Sequence, residues 1–306
     1  MDDDLKTPLQ WQRPPGWAKL GVPASARGSV LQFVLQRFSH VPQAVWAARF
    51  AQQLVHDGDG HVLQAEDAVE RVQHIVYPRH PPQETVIPFD VEVLFQDADI
   101  LVVDKPHFLP VVPSGNYVAQ TVLSRMQQQL GLMQLAPLHR LDKDTAGLVM
   151  LSVNPATRDR YHALFRDHAI CKRYEAVAPA DVRFATQVRH ASRLEPGGAR
   201  FFTMHEVDGA ANSETLVQLL ELRGAWGLYQ LQPISGKKHQ LRVHMAALGL
   251  PLRNDPFYPE ITDPPEGDFS RPLQLLARSL EWIDPISGQR RYCESRRNLQ
   301  WPVAAV

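Results

Sequence analysis

Apolar residues along this chain change their period at definite places. From Ser29 to Val62 they recur at three- and four-residue spacing (Val30, Phe33, Val34, Phe38, then Val45, Phe50, Leu54), which predicts two helices before a Gly-containing turn and a strand. The preceding 27 residues hold Pro14-Pro15 and Pro23 with little periodicity and read as an extension. Pro81-Pro82 and Glu84 mark a linker, after which apolar runs at 91–95 and 100–103 read as strands. Helices follow over 121–130 and 155–166, the second with Asn154 as its cap and proline in its first turn. Further strands are predicted over 148–152, 174–178 and 216–222. Strands mixed irregularly with helices, without regular βαβ repeats, predict an α+β fold on a mixed, largely antiparallel sheet. The expected organisation is an extension over 1–27, a small α/β module over 28–80 and a large domain over 86–306. Residues 256–272 carry five prolines and four acids and should form a surface loop.

Charge breaks this pattern at one place. His139-Arg140-Leu141-Asp142-Lys143-Asp144 puts an imidazole, two carboxylates and two cations into six residues just before the apolar run Val149-Met150-Leu151. Ordinary core sequence holds few such groups, so the run is either a solvated turn or a reactive site. In extended chain Asp142 and Asp144 would share a face. A second segment, Ser235 to Pro251, lies inside a stretch without acids between Glu221 and Asp255 that holds Arg223, Lys237, Lys238, Arg242 and Arg253. Such a segment expects an anion nearby, and a helix starting close to Gly236 would add its N-terminal N–H donors. Leu241, Met245 and Leu248 would bury the other face of that helix.

The pair HRLDKDTAGL and SGKKHQLRVHMAALGLPL resembles the signature of the RluA family of RNA pseudouridine synthases, whose motifs read approximately HRLDxxTSGL and GRxHQxRVHxxxxGxPI. Lys172-Arg173-Tyr174-Glu175-Ala176 is similar to the family's intervening KxYxA segment, and Asp104-Lys105-Pro106 to its opening strand. These matches span roughly 98–290, about two thirds of the chain. The resemblance implies a pseudouridine synthase catalytic domain over 86–306, with Asp142 as catalytic aspartate, Arg242 paired to it and Tyr174 against the uracil. Substrate contacts then fall to Arg140, Lys172, Lys237, Lys238, His239 and Gln240, with Arg140 entering the space left when the target base flips. No cofactor and no metal are implied. The partner is structured RNA, ribosomal RNA first and transfer RNA second. Asp144 has no counterpart among the family's catalytic groups and is assigned a structural role, as is His139. Ala146, Lys237 and Asn254 depart from the family's usual serine, arginine and glycine. Asn254 matters most, because glycine there would serve an unusual backbone angle that asparagine tolerates next best.

Residue chemistry asks for the same groups. An aspartate in a partly dry pocket loses its charge unless a fixed cation holds it, and a guanidinium does so through a paired contact while staying charged. A tyrosine of ordinary pKa is a poor base at neutral pH, which leaves Tyr174 open to stacking as well as proton transfer. The helix pair ahead of the catalytic region resembles the small RNA-binding domain of ribosomal-protein type. Its grip is expected to be degenerate, because only Arg49 is basic between Val41 and Glu66.

Composition adds boundaries. The chain has 306 residues, 44% hydrophobic and 21% charged, with a net charge of −1, which fits a globular protein rather than one coating nucleic acid indiscriminately. Two cysteines, an N-terminal run of aspartates and no bilayer-length apolar stretch predict a cytoplasmic protein, expected to be a monomer without membrane association. Two other readings compete. One is a phosphoesterase with a metal on His139, Asp142, His239 and His244; the other is a non-catalytic RNA-binding or assembly protein on a synthase scaffold.

Overall fold

In a computed structural model, residues 11, 14, 17–38, 41–78, 84–115, 117–197, 200, 202–262 and 264–301 are described. They fall into two compact units, Met1–Gln83 and Glu84–Val306. No helix among them is long and apolar enough to cross a membrane.

The first unit consists of strand β1 (Trp17–Gly21), helices α1 (Val30–Arg37) and α2 (Gln43–Ala51) and strand β2 (His74–Pro78). Part of the stretch read as an extension is therefore built in, because β1 pairs antiparallel with β2. Helix α1 starts at a capping box: the Ser29 hydroxyl accepts from the Gln32 amide, and the Gln32 side chain accepts from the Ser29 amide, both at 3.1 Å. Its helical-period residues Val30 and Val34 close a core with Trp46 and Phe50. Arg49 is buried, its guanidinium 4.5 Å from the Trp46 ring centroid and 5.5 Å from that of Tyr77. Arg49, the single arginine or lysine between Val41 and Glu66, is thus used internally on aromatic faces.

The second unit runs β3 (Glu92–Gln96), β4 (Ile100–Lys105), α3 (Val122–Leu130), β5 (Ala136–Pro137), β6 (Ala146–Ser152), α4 (Arg158–Arg166), β7 (Cys171–Pro179), β8 (Val188–Pro196), β9 (Met204–Val207), β10 (Ser213–Arg223), β11 (Trp226–Pro233), α5 (Gln240–Ala247), β12 (Leu275–Ile283) and β13 (Arg290–Glu294). Its sheet has the order β3-β4-β6-β12-β7-β11-β10-β8-β9, with β5 on β6 and β13 on β12. Only β6 with β12 is a parallel pair among the described strands, so the fold is the mixed, mostly antiparallel α+β arrangement the pattern predicts.

Strands β4 and β6 are apolar at every central position because both faces are covered. Leu101, Val103, Val149 and Leu151 pack with Val122 and Met126 of α3, while Ile100, Val102, Leu148 and Met150 pack with Tyr161 and Leu164 of α4. Gly147 makes the β6–β12 contact possible: its φ is +108°, and a Cβ there would lie 2.3 Å from the Ala277 carbonyl oxygen.

Two helix starts differ from the sequence expectation. Helix α4 begins at Arg158, since the Asn154 side chain closes a local turn by accepting from the Ala156 amide and donating to Asp99. Helix α5 begins at Gln240 rather than near Gly236, because His239 adopts a left-handed conformation at φ +53° that interrupts the helix before it. The fold delivers the chemistry to one place: the β5–β6 loop carries 139–145, β7 carries Lys172 and Tyr174, and the β11–α5 turn leads into Arg242.

Candidate active site

All nine residues assigned to catalysis or substrate line one cavity of about 1730 Å³: Arg140, Asp142, Lys172, Tyr174, Lys237, Lys238, His239, Gln240 and Arg242. The centre is an acid–base–acid cluster. The Asp142 carboxylate is half-buried, with Oδ2 3.3 Å from Arg242 Nη1 and Oδ1 3.9 Å from His239 Nε2. Arg242 is buried and donates Nε and Nη2 to Asp255 at 2.8 and 2.6 Å. Asp255 Oδ1 also accepts from the Phe257 and Tyr258 amides at 2.9 and 3.2 Å. Burial alone would depress the guanidinium pKa, but hydrogen bonds and charge from Asp255, and then the charge of Asp142, outweigh it and hold it above the ordinary arginine value. A fixed, permanently charged donor therefore faces Asp142, with Phe257 and Tyr258 against its plane.

The loop bearing Asp142 is tied down at its backbone. The Met150 amide donates to His139 Nε2, whose ring stacks on Phe165 at 4.6 Å. Burial, aided by Lys172, pushes the His139 pKa down to about 3, so the ring is neutral and serves as an acceptor in the fold. Lys105 Nζ donates to the carbonyls of Pro106, Leu109 and Lys143 at 3.0, 2.8 and 3.0 Å, and His107 Nδ1 lies 2.8 Å from the Asp144 carbonyl. Asp144 sits in the turn after Asp142, not in extended chain, and its side chain is buried. Burial raises its pKa despite the nearby Lys143 and Arg242.

Tyr174 stands beside this cluster on β7. Burial, and then the charge of Asp142, raise its phenol pKa, so it is protonated at neutral pH and suits stacking and hydrogen-bond donation better than acting as a base. His239 is buried between Phe257 and Tyr258, with Nδ1 2.8 Å from the Tyr258 hydroxyl, and burial lowers its pKa to about 4. Gln240 lines the cavity, but its amide is engaged inside the fold. It donates to Thr215 Oγ1 and the Glu214 carbonyl and accepts from Ser235 Oγ and the Lys237 amide. These bonds brace the turn before α5. Lys238 donates to the Phe202 carbonyl at 2.7 Å. Arg140 and Lys237 are exposed, and Lys172 is half-buried with its pKa lowered by desolvation.

Sequence reasoning missed Asp255, Tyr258 and the backbone-holding roles of Lys105 and His107. Asp255 carried one usable signal: it is the first acid after the long acid-free stretch. Asn254, beside it, adopts φ +61°, and its side chain donates to the Pro272 carbonyl at 3.0 Å. The backbone angle inferred for a glycine is therefore kept by asparagine.

The metal-site alternative loses its ligand set. Among the described residues, the group of ligand atoms close enough to share an ion is His190, Glu206 and His244, apart from His139, Asp142 and His239. His244 is already bonded through both ring nitrogens, Nδ1 to Thr215 and Nε2 to Ser192 and Ser213.

The profile of the RNA pseudouridylate synthase family matches residues 99–247, which contain Asp142, Tyr174 and Arg242. The chain is 29% identical over 230 residues to an uncharacterized RNA pseudouridine synthase of Synechocystis sp., covering 75% of this chain and 79% of that one. It is 28% identical over 221 residues to the mitochondrial tRNA pseudouridine(32) synthase of Saccharomyces cerevisiae, covering 69% of this chain and 47%, just under half, of that protein. The structure of Human RNA Pseudouridylate Synthase Domain Containing 1 has the same fold, with a TM-score of 0.57 at 21% identity over 70% of this chain and 86% of that one. With these matches added to the four ordered motifs, residues 99–247 carry the RNA pseudouridylate synthase domain, and the chain is similar over most of its length to RNA pseudouridine synthases.

Proposed function

We propose that this protein isomerises uridine to pseudouridine in structured RNA, with Asp142 as the catalytic carboxylate. The observation that carries this reading is the unequal pair of acids on Arg242. Asp255 is sealed in the fold and fixes two guanidinium nitrogens, which leaves the third for Asp142, the acid open to the cavity. The reaction breaks the N1–C1′ bond and makes a C5–C1′ bond; a proton leaves C5 and one is gained at N1, so no atom is added or lost. It needs one reactive carboxylate held ionised, whereas a water-using glycosidase commonly needs two facing carboxyl groups. The same Asp142 oxygen serves attack on the sugar, attack on the uracil ring or a first elimination.

Around it the other groups take distinct parts. Tyr174 offers a ring to the uracil face and a protonated hydroxyl for a hydrogen bond. Arg140, exposed beside Asp142, suits filling the stack vacated by the flipped base. Lys172 and Lys237 meet phosphates along the cavity. Ribosomal RNA is the first target class and transfer RNA the second, the latter supported by the printed name of the yeast relative. A cytoplasmic site of action and action as a monomer complete this reading.

The test is pseudouridine mapping of total RNA from cells lacking the protein, restored with wild type or with Asp142→Asn. The expected result is a site lost in the deletion and regained with wild type alone, while purified Asp142→Asn still folds and binds RNA. Undiminished turnover by Asp142→Asn would refute the role of Asp142.

A further inference from the structure

The cavity is larger than one flipped nucleotide requires: ligand sites for small molecules commonly run to about 300–1,000 Å³, and this one holds about 1730 Å³. It also extends away from Asp142. Strand β11 lines it at both ends, through Pro233 and through Trp226. Tyr174 on β7 is opposite Leu231, and Pro179, five residues on, is opposite Trp226. At roughly 3.3 Å per residue, Trp226 lies on the order of 17 Å along the sheet from the catalytic tyrosine. That is several stacked bases, at about 3.4 Å each.

The residues at this far end form a built surface. Trp226 is half-buried, and the Arg253 guanidinium carbon lies 5.8 Å from its ring centroid. Arg253 is fixed by its backbone on both sides, its amide donating to the Val177 carbonyl and its carbonyl accepting from the Gln274 amide, each at 2.9 Å. Its Nη1 donates to the Gln300 carbonyl at 3.0 Å, and the Gln300 amide is held in turn by Gln274 Oε1. Among the described residues Arg253 has no carboxylate partner, so its charge is left for an anion. An aromatic ring and an unpaired guanidinium in one groove match the two halves of a nucleotide, the base and the phosphate.

We infer that Trp226 and Arg253 form a second nucleotide subsite, which holds an unpaired nucleotide outside the target uridine, its base on the indole and its phosphate on the guanidinium. This rests on the reading of the cavity as an RNA site. It absorbs Arg253, a cation of the acid-free stretch that the chemistry at Asp142 leaves unused.

The experiment uses the full chain with unmodified transfer RNA and ribosomal RNA transcripts, followed by a stem-loop cut from the transcript that is modified. Trp226→Ala and Arg253→Gln should each raise KM about tenfold or more, the size of one lost base–aromatic stack, with kcat unchanged. Trp226→Phe should stay near wild type. An abasic scan of the stem-loop then separates recognition from packing. With wild type, one position outside the target should raise KM when its base is removed, and with Trp226→Ala that penalty should vanish. An unchanged KM for Trp226→Ala, or an abasic penalty that persists in it, overturns the inference while leaving the catalytic reading intact. If wild type modifies no transcript, the catalytic reading fails. Gel shifts of the same transcripts then decide the inference: weaker binding by Trp226→Ala supports it, and equal binding overturns it.

Discussion

Asp142 and Asp255 both touch Arg242, yet removing their charges should have opposite consequences. The Asp255 side chain is fully buried and accepts from four N–H groups, two of the guanidinium and two of the backbone. In Asp255→Asn one acceptor oxygen becomes an NH2 facing those donors, and Arg242 loses its dry counter-ion. Breaking a buried ion pair by removing one partner costs about 3–5 kcal/mol. For a unit of this size about 3 kcal/mol lowers the melting temperature by roughly 10 °C. Asp142 is different: its side chain is 24% exposed and contributes one contact at 3.3 Å, while Arg242 keeps Asp255. A partly solvated pair of this kind is worth about 1 kcal/mol or less, so Asp142→Asn should melt within about 3 °C of wild type. Calorimetry of both variants, paired with a pseudouridine assay, reads the crossover. Asp142→Asn should be stable and inactive, and Asp255→Asn unstable as well as impaired. An Asp255→Asn melting point within 2–3 °C of wild type, or equal losses in the two variants, would refute the division into an anchoring and a reactive acid.

Burial holds Lys105 at about 7, well below the ordinary lysine value. Between about pH 7 and 10 the unfolded chain therefore binds a proton that the folded chain does not, and the stability due to this group rises with pH through that window. Urea unfolding at pH 6.5, 8 and 9.5 should show Lys105→Met lacking that rise; parallel pH slopes would exclude it. Gly147→Ala places a Cβ against the Ala277 backbone at a left-handed φ and should cost about 3 kcal/mol or more, seen as a melting temperature lowered by several degrees or as insoluble protein. Lys237→Gln should reduce the slope of log binding constant against log salt by about one in fluorescence anisotropy with a transfer RNA transcript, and an unchanged slope would place Lys237 away from phosphate.

What the sequence discloses and what it hides follow one physical division. Elements fixed by local periodicity were legible: α1 and α2, the strands read at 100–103 and 148–152, and the helix read over 121–130 all fall within a few residues of where apolar spacing puts them. Element ends governed by side-chain competition were not. Asn154 satisfies an amide and Asp99 instead of capping α4 directly, and His239 turns left-handed just before α5, a conformation that nothing in its flanking pattern announces. Strand β1 was missed because its five residues alternate weakly and gain their place from pairing with β2, more than fifty residues away.

The site divides in the same way. Short motifs named the residues that face the cavity, since catalysis demands particular groups at fixed local spacing. They did not reveal how those groups are powered, because that depends on contacts between distant segments. Asp142 and Arg242 lie 100 positions apart, and Lys105 reaches the carbonyl of Lys143 across 38. One arginine between two acids leaves a cluster with an excess negative charge, which is sustainable because the excess sits on the wetter acid. Asp255, dry and four times hydrogen-bonded, keeps the guanidinium fixed, and Asp142 stands at the cavity wall with a longer contact to the same arginine. On the proposed reading, an RNA strand filling the cavity would exclude water from Asp142, and desolvation raises the cost of a carboxylate's charge. On that reading, the arginine that Asp255 immobilises is the group that would hold the Asp142 carboxylate as the substrate dries the site.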